Sequence, residues 1–390
     1  MAPVRPDTIA AAMDFQLNDE QRAIRHLARE FADREIRPVA AELDREARFP
    51  YEIVAKLGEL GLMGMPFPQE LGGGGTDYLS YALVIEELAR VDSSVAITVA
   101  AHTSLGTYPI HAFGSEEQRQ RWLPQLCSGA RLGAFGLTEP DAGSDASAIR
   151  TTARRDGDGW MVNGAKQFIT NAGTDVSGCV TIAALTGEDE ISAFIVPNGT
   201  EGYTVEAPYR KMGWKASDTR PLTFDDCRLP EESMLGPRGR GYAQFLETLA
   251  GGRISVSAMG VGLAQGALDE ALAYAKQRRA FGQPISKFQA IQMKLADMAT
   301  EIEAARLLTL RAATLKDRLH PKFDIVAAAA KLKTGRLAVR AAEEAVQIHG
   351  GYGYIEEYPV CRFYRDAKVL TIGEGTDEVQ QMVIARHLGC

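Results

Sequence analysis

The 390-residue sequence has few of the features that define disulfide-stabilised, zinc-binding or membrane-spanning proteins. It contains five cysteines, an odd number scattered along the chain, and no Cys-x-x-Cys pair. Neither a disulfide framework nor a zinc site is therefore indicated, and a reducing compartment fits this usage best. No apolar run approaches the roughly 18 to 20 residues that a transmembrane helix requires, so we expect no membrane span.

The sequence also has fewer positively than negatively charged residues. The chain carries 43 Lys and Arg against 51 Asp and Glu, which gives a formal charge of -8 and a pI of about 5.5. This balance argues against a large sequence-independent nucleic-acid surface, and we expect no nucleic-acid partner. Apolar residues, in contrast, make up 45% of the chain, with 24% charged. That composition is typical of a soluble globular protein with a sizeable core in two or three domains.

Residues 1–13 contain Arg5 and a short Ala-rich stretch but no apolar signal core, so we predict a flexible tail there. A cytoplasmic location is the expectation for a bacterial protein, and the mitochondrial matrix is the alternative for a eukaryotic one.

The spacing of apolar residues divides the rest of the chain into three parts. Residues 14–130 follow a helical period, as at Ile53 and Leu57. Residues 131–240 contain short segments rich in β-branched and aromatic residues, separated by Gly or Pro. Residues 241–390 return to long helical stripes joined by short turns. We therefore predict an α+β multidomain fold with an N-terminal α-helical domain, a middle antiparallel β-barrel-like domain and a C-terminal four-helix bundle domain.

Local signals predict three further details. Asn163-Gly164 is the dipeptide of a tight hairpin turn. Ser286 and Gln289 have the spacing of a capping box at the start of a helix. Phe168 lies in a strand-like piece, 166–171, and that piece alone favours a core residue over a flank for a flat ring.

Near the end of the chain, Glu374 stands between Gly373 and Gly375, and Thr376 or Asp377 can cap a helix that follows. Flanking glycines allow positive φ and close approach of a ligand to the backbone. A carboxylate in that setting can be a desolvated general base. Taken alone, the stretch is more simply explained as a loop glutamate that caps a helix.

Three other stretches admit both a structural and a chemical explanation. The turn-rich segment 135–145 can bind the polar edge of a heterocycle or be a plain loop. In residues 277–289, Arg278 complements a helix dipole or binds phosphate. The glycines of residues 347–354 end a helix or let a cofactor lie against bare backbone. His349 has no partner at metal or triad spacing, and we interpret it as a packing or hydrogen-bonding residue.

Taken together and in this order, these motifs resemble those of the acyl-CoA dehydrogenase family of flavoproteins, most of all its short-chain (butyryl-type) branch. The resemblance extends over residues 14–388 and is carried by Leu137-Thr138-Glu139-Pro140 with Ala142-Gly143-Ser144-Asp145, Phe168-Ile169-Thr170, Arg278 through Phe281-Gly282 to Gln289, Gln347 with Gly350-Gly351, and Glu374-Gly375-Thr376. It implies a subunit with helical, sheet and helical domains, bound FAD, no metal, and a homotetramer.

The resemblance also implies a role for each matching residue. Family positions that hold FAD within one subunit are matched by Phe135, Leu137, Thr138, Gly143, Ser144, Phe168, Ile169, Thr170, Thr376 and Glu378. Family positions that reach the FAD of a neighbouring subunit are matched by Arg278, Phe281, Gln289, Gln347, Ile348, Gly350 and Gly351. Acyl-CoA contacts are matched by Ser144, Arg253 and Gly375, and the catalytic base is matched by Glu374.

The implied activity is FAD-dependent dehydrogenation of a short- or branched-chain acyl-CoA thioester to the trans-2-enoyl-CoA. Glu374 takes the α proton, the β hydride moves to flavin N5, and the electrons pass to an electron-transfer flavoprotein. The implied tetramer is a dimer of dimers that shares FAD contacts between subunits. The alternatives are an oxygen-using enzyme similar to acyl-CoA oxidase and a flavin-binding relative that is not a dehydrogenase. A decarboxylating dehydrogenase would need a cation directed at a distal carboxylate, and residues 95–107 offer none.

Two departures from the family pattern bear on the substrate. Ala250 stands where the short-chain branch often has Asp, which removes one expected substrate contact. Gly373 stands where many relatives carry Tyr, which removes bulk beside the acyl chain. We therefore hypothesise a wider pocket that tolerates branched chains. Residues 250–253 contain no acid, so Glu374 has no rival as the base.

Overall fold

The computed structural model describes residues 16–390. The predicted tail, residues 1–13, lies outside the described residues.

Within the described part of the chain, seven helices precede the sheet: α1 (Asp19–Phe31), α2 (Ala40–Glu46), α3 (Tyr51–Glu59), α4 (Tyr78–Val91), α5 (Ser93–Ala100), α6 (Tyr108–Phe113) and α7 (Glu116–Cys127). Side-chain oxygens of Asn18, Asp77 and Asp92 cap the starts of α1, α4 and α5 by accepting backbone N–H groups. A π-helical turn, Ala101–Thr107, continues α5, and both segments are buried throughout. Residues 93–107 therefore form a continuous buried helical stretch.

The middle of the chain forms one sheet of eight strands: β1 (Leu132–Gly136), β2 (Thr152–Asp156), β3 (Gly159–Thr170), β4 (Ser177–Gly187), β5 (Glu190–Pro197), β6 (Tyr203–Val205), β7 (Thr219–Pro230) and β8 (Met234–Leu235). The strand order is β6-β7-β3-β2-β4-β5-β8, with β1 beside β4. Most neighbours are antiparallel, but β1 and β2 run parallel to β4.

The predicted barrel-like closure is wrong, because the end strands β6 and β8 do not pair with each other and the sheet stays open. Both end strands are very short, at three and two residues, and leave little edge to join. Alternation of apolar residues predicts strands, whereas closure depends on strand register and tilt.

The Asn163-Gly164 pair does not form the hairpin turn that its sequence predicted. It lies inside β3, where the register against β7 shifts between Val162 and Gly164. Gly164 has φ +148°, and a Cβ there would lie 2.5 Å from Thr151 Oγ1. The connection between β2 and β3 is made by residues 157–158. A β-bulge and a tight turn select glycine for the same backbone freedom, so the dipeptide alone does not separate them.

The last part of the chain is again helical: α8 (Gly241–Gln277), α9 (Gln289–Asp317), α10 (Phe323–His349), α11 (Pro359–Ala367) and α12 (Asp377–Leu388). A two-stranded hairpin, β9 (Arg279–Ala280) and β10 (Gln283–Pro284), joins α8 to α9. Helices α8, α9 and α10 pack on one another, and α12 packs on α10.

The capping box predicted from Ser286 and Gln289 is wrong. Helix α9 begins at Gln289 itself, Phe288 occupies its N-cap, and no side chain caps it there. Ser286 lies in a short 3₁₀ turn before the helix. The local capping pattern therefore does not set the start of α9.

The two helical parts share one apolar core, which positions the site. Helix α4 packs on α8 in a cluster that includes Tyr81, Ile85, Met259 and Leu263, all buried. The sheet has a separate core, in which Trp160 meets Phe194 edge-on. Helix α8 is thus buried over much of its length, and its Gly252 faces the side chain of Glu374.

Candidate active site

Glu374 lies in the short connection between a 3₁₀ turn, Lys368–Thr371, and helix α12. Its backbone is in the left-handed region with φ +53°, and that of Gly375 has φ +91°. Thr376 then accepts the backbone N–H of Val379 at 3.3 Å and caps α12, as its sequence position predicts. A left-handed φ at a residue with a Cβ is unfavourable, so surrounding contacts must hold this turn.

The carboxylate oxygens of Glu374 are buried, although the residue as a whole is only half-buried. Neither of its oxygens has a hydrogen-bond partner within residues 16–390. Burial raises the pKa of the Glu374 carboxyl to about 7, and the positive charges of Lys331 and Arg253 oppose that rise. A buried carboxylate without partners destabilises a fold, and such groups are typical of sites where a ligand supplies the missing contacts.

Helix α8 provides the space that this carboxylate occupies. A Cβ on Gly252 would lie 2.3 Å from Glu374 Oε2 and 2.9 Å from Leu105. The next residue, Arg253, is buried, its Nε has no hydrogen-bond partner in the described chain, and burial lowers its pKa. The structure thus places Glu374, Gly375 and Arg253, three of the predicted residues, around one space.

Two side chains at this site were not predicted from the sequence. Lys331 on α10 donates its Nζ to the carbonyl of Gly375 at 2.6 Å. Gln380 on α12 donates Nε2 to the carbonyls of Glu374 at 3.2 Å and Gly375 at 3.0 Å. The sequence did contain a signal for Lys331, because this lysine directly follows the apolar run 325–330 and lysine is rarely buried without a partner.

The turn-rich segment 135–145 is anchored by a buried ion pair. Lys166 Nζ lies 2.7 Å from Glu139, which also accepts the backbone N–H groups of residues 150 and 151. Within this segment, Leu137 is buried, whereas Gly143 and Ser144 are exposed. The carbonyl of Thr138 accepts the N–H of residue 167 at 2.8 Å, which brings the segment beside the end of β3.

The interpretation of Phe168 as a core residue is wrong. Its ring is 65% exposed, its φ is +62°, and it lies 5.2 Å from the ring of Tyr209. The register of β3 against β7 shifts between Lys166 and Ile169, which turns Phe168 outward while Ile169 is buried. Strand alternation could not show this, because one irregular residue reverses the facing of its neighbours.

Residues 278–289 and 347–351 form an exposed surface on the helical part. Arg278 follows the last residue of α8 as its C-cap, and its guanidinium lies 5.9 Å from the Tyr352 ring. Phe281 is 94% exposed at φ +48°. Gln289, Gln347, Gly350 and Gly351 are also exposed, whereas the side chain of Ile348 is buried. No hydrogen bond, ion pair or ring contact in residues 16–390 joins this surface to Glu374.

His349 is buried, its Nδ1 lies 2.8 Å from the Ala345 carbonyl, and its ring stacks on Tyr274 at 4.2 Å. The packing interpretation is therefore confirmed.

Over the described residues, no group of three His, Cys, Asp or Glu side chains is placed to hold a metal ion. No helix among them is long and apolar enough to span a membrane.

A sheet lies between two helical parts that share a core, and a buried carboxylate without a partner in the described residues lies where α8, α10 and α12 meet. Such a group is typical of the functional sites of enzymes. Sequence models of three domains of the acyl-CoA dehydrogenase family match the chain: the N-terminal domain over residues 18–130, the middle domain over 134–227 and the C-terminal domain over 239–389. The chain belongs to the acyl-CoA dehydrogenase family.

Two relatives are similar over almost the whole chain. A probable acyl-CoA dehydrogenase, YngJ of Bacillus subtilis, is 51% identical over 381 residues, which cover 96% of this chain and 100% of the relative. A short-chain specific acyl-CoA dehydrogenase of Clostridium acetobutylicum is 45% identical over 377 residues, which cover 96% and 99%.

Solved structures agree with this assignment. Butyryl-CoA dehydrogenase from Megasphaera elsdenii superposes with a TM-score of 0.94 at 45% identity and covers 97% of this chain and 100% of its own. A chain in the structure of an electron transferring flavoprotein of Acidaminococcus fermentans has the same TM-score and identity and covers 96% and 99%. Acyl-CoA dehydrogenase from Bacillus anthracis, complexed with FAD, gives 0.89 at 34% identity and covers 96% and 67%. The family and oxidoreductase class expected from the sequence motifs are confirmed.

Proposed function

We propose that this protein is a short-chain acyl-CoA dehydrogenase that removes one hydrogen each from Cα and Cβ of an acyl-CoA thioester and yields the trans-2-enoyl-CoA. The observation that carries this assignment is the buried, unpartnered carboxylate of Glu374 facing Gly252. Likeness to short-chain and butyryl-CoA dehydrogenases over almost the whole chain supports the substrate class.

Glu374 is the base that takes the α proton. Its pKa of about 7 makes the carboxylate a stronger base than an exposed glutamate while much of it remains ionised at neutral pH. The pocket that raises this pKa also keeps water from the α carbon, where it would solvate the carboxylate and weaken it.

The backbone of the same residue polarises the substrate. The N–H of Glu374 makes no hydrogen bond in the described chain, so it is free to donate to the thioester oxygen. One such donor is worth about 3 to 4 kcal/mol in comparable oxyanion sites, because negative charge develops on that oxygen as the proton leaves. Arg253, buried one residue from Gly252, adds positive charge to the region in which the acyl-CoA lies.

FAD fits the face formed by the segment 135–145 and the end of β3. Phe168 is held outward at a left-handed φ that is strained for a phenylalanine, so its ring is exposed, and Ser144 is exposed as well. The family resemblance assigns Thr170 and Thr376 as further polar contacts of FAD. FAD, when bound there, supplies the acceptor for the β hydride. The open space around Gly143 leaves the backbone accessible to a ligand.

The proposed assembly is a homotetramer, a dimer of dimers, in which the surface of residues 278–289 and 347–351 reaches the FAD of a neighbouring subunit. The exposure of Phe281 at a left-handed φ supports it, because an isolated chain gains nothing from either property. Within each subunit, we propose that α8, α9, α10 and α12 form a four-helix bundle. The proposed domains are residues 14–130, 131–240 and 241–390.

We further propose that the reduced enzyme passes its electrons to an electron-transfer flavoprotein, in a bacterial cytoplasm or a mitochondrial matrix. The match to a chain in a structure of such a flavoprotein supports this acceptor.

The absence of a side chain at Gly373 supports an acyl pocket wide enough for branched chains, since a Cβ there would meet nothing nearer than 3.6 Å.

The deciding experiment is anaerobic titration of the FAD-loaded enzyme with butyryl-, isobutyryl-, 2-methylbutyryl- and octanoyl-CoA. Bleaching of the flavin absorbance by the short or branched substrates is expected. No bleaching by any of the four would refute the proposed activity, and strict preference for butyryl-CoA would refute the wide pocket. Admitting air to the bleached sample separates a dehydrogenase, which reoxidises slowly with product bound, from an oxidase.

A further inference from the structure

Lys331 is a buried lysine that has no role in the proposed mechanism. It lies within α10, its side chain is fully buried, and it follows a run of four alanines at 327–330. Its one hydrogen-bond partner in residues 16–390 is the carbonyl of Gly375 at 2.6 Å. A buried ammonium that lacks a full set of partners destabilises the folded chain, whereas leucine or methionine would fill the same space without that cost.

The carbonyl that Lys331 contacts belongs to the strained turn of the candidate base. Gln380, also buried, donates to the same carbonyl and to that of Glu374. The donors come from α10 and α12, so they hold the turn from two sides. A left-handed conformation at a non-glycine residue costs about 1 to 2 kcal/mol, and two hydrogen bonds are of the size needed to maintain it.

The same ammonium faces a cluster of charges. From α12, Asp377 and Glu378 act on it; from the turn, Glu374; and from α8, Arg253. The positive charges of Lys331 and Arg253 both oppose the rise that burial causes in the pKa of the Glu374 carboxyl. Burial favours the neutral form of that carboxyl, which cannot act as a base, and a nearby cation favours the ionised form.

We propose that Lys331 is a positioning residue of the active site, which fixes the Glu374–Gly375 turn through the Gly375 carbonyl and keeps the Glu374 carboxylate ionised through its charge. This role rests on the proposed function, because it presumes that Glu374 is the base. Lys331 itself does not contact the reacting atoms. Its contribution passes through the backbone of the turn and through the electrostatic potential at the carboxylate.

The test compares Lys331→Met, which removes the donor and the charge, with Lys331→Arg and Lys331→Gln, which keep the charge or a donor. Lys333→Met is the matched control, because Lys333 lies on the same helix, is more exposed and pairs with Glu301. Each variant is loaded with FAD and assayed with butyryl-CoA from pH 5.5 to 9. We expect Lys331→Met to lower kcat by about 10- to 100-fold, as for a misplaced catalytic group.

The pH profile separates positioning from a merely structural role. Loss of the cation should move the acid limb of kcat/KM to higher pH by about one pH unit, because the ionised carboxylate loses its stabilising neighbour. Lys331→Arg should restore the acid limb of kcat/KM to its wild-type pH. Lys331→Gln should recover part of kcat, but its acid limb should stay at the higher pH. An acid limb and a kcat for Lys331→Met that match Lys333→Met would overturn the proposal.

A readout that does not require turnover keeps this test separate from the proposed activity. The carboxyl stretching band of protonated Glu374 is obtained by subtracting the infrared spectrum of a Glu374→Gln protein, and its midpoint is followed with pH. A midpoint that is higher in Lys331→Met than in the wild type supports the positioning role even if no acyl-CoA reduces the flavin. An unchanged midpoint overturns it even if the wild type is fully active. If Lys331→Met does not fold, Lys331→Gln and Lys331→Arg are compared in the same way.

Discussion

The carboxylate of Glu374 fills the space that a side chain at Gly252 would occupy: a Cβ on Gly252 would lie 2.3 Å from Oε2. Gly252 lies inside α8 at an ordinary helical φ, so the helix does not need a glycine there. A glycine in a helix interior costs about 1 kcal/mol relative to alanine. The room that Gly252 leaves for the Glu374 carboxylate explains why a glycine is present.

Gly252→Ala should therefore lower kcat for butyryl-CoA by about 10- to 100-fold, because the added methyl group displaces the carboxylate. The measurement is steady-state turnover with an artificial electron acceptor, with flavin content determined in the same samples. Gly251→Ala is the matched control: its Cβ would approach only the flexible end of Lys316, at 3.0 Å, and then Tyr78. Equal activity of the two variants would contradict the proposed crowding.

Glu374→Gln should bind the substrate but fail to reduce the flavin. Loss of a general base lowers the rate by about 10²- to 10⁴-fold, since the amide cannot accept the α proton. Anaerobic bleaching with butyryl-CoA measures the chemical step, and calorimetric titration with the enoyl-CoA product measures binding. Glu188→Gln, at an exposed turn of the sheet, is the control. Wild-type bleaching by Glu374→Gln would refute the assignment of the base.

The same substitution should change the pH dependence of stability. Burial raises the pKa of Glu374 from 4.5 to about 7, so the folded protein holds this proton more tightly than the unfolded chain. Its stabilising contribution is full below pH 4.5 and is lost as the pH rises through 7. Glutamine does not titrate. As the pH rises from below 4.5 to above 7, the free energy of unfolding of Glu374→Gln should therefore increase relative to that of the wild type by up to about 3 kcal/mol. Urea unfolding of both proteins at pH 5 and 8 measures this gain, and a difference independent of pH would contradict it.

Arg278→Ala should weaken FAD retention. A charge-assisted hydrogen bond is worth about 1.5 to 3 kcal/mol, so affinity for FAD should fall by about 10- to 100-fold. The flavin-to-protein ratio after gel filtration reports the effect, and the elution volume reports the assembly. Lys287→Ala changes another exposed cation of the same connection and serves as the control. Unchanged flavin content would argue against a role of this surface in FAD binding.

Gly373→Tyr should narrow the acyl pocket. Gly373 does not have a positive φ, so a side chain is compatible with its backbone, unlike at Gly375. We expect kcat/KM for isobutyryl- and 2-methylbutyryl-CoA to fall more than that for butyryl-CoA, since each lost apolar contact or added clash is worth about 1 to 3 kcal/mol. A uniform decrease over the substrate series would show that Gly373 does not set branching tolerance.

Local signals predicted the parts of the site that depend on short stretches of chain. The glycine after Glu374, the cap at Thr376 and the isolated position of His349 could each be interpreted from a few neighbouring residues, and the structure agrees with each. These features follow from backbone freedom and from capping, which act over three or four residues.

Local signals failed where the structure depends on strand register. The outward ring of Phe168 and the bulge at Gly164 both arise from register shifts of β3 against β7, a strand more than 50 residues away. The same limit applies to the open sheet, since apolar alternation contains no information on whether end strands meet.

The sequence by itself determined the family, the order of helical and sheet regions, and the identity of the candidate base. Only the tertiary structure decided that α8, α10 and α12 enclose the carboxylate of Glu374, with Gly252 leaving room for it and Lys331 holding its turn. The physical reason is that burial and charge act through space: residues 252, 331 and 374 are far apart along the chain, and the raised pKa of the base exists only once the helices have packed.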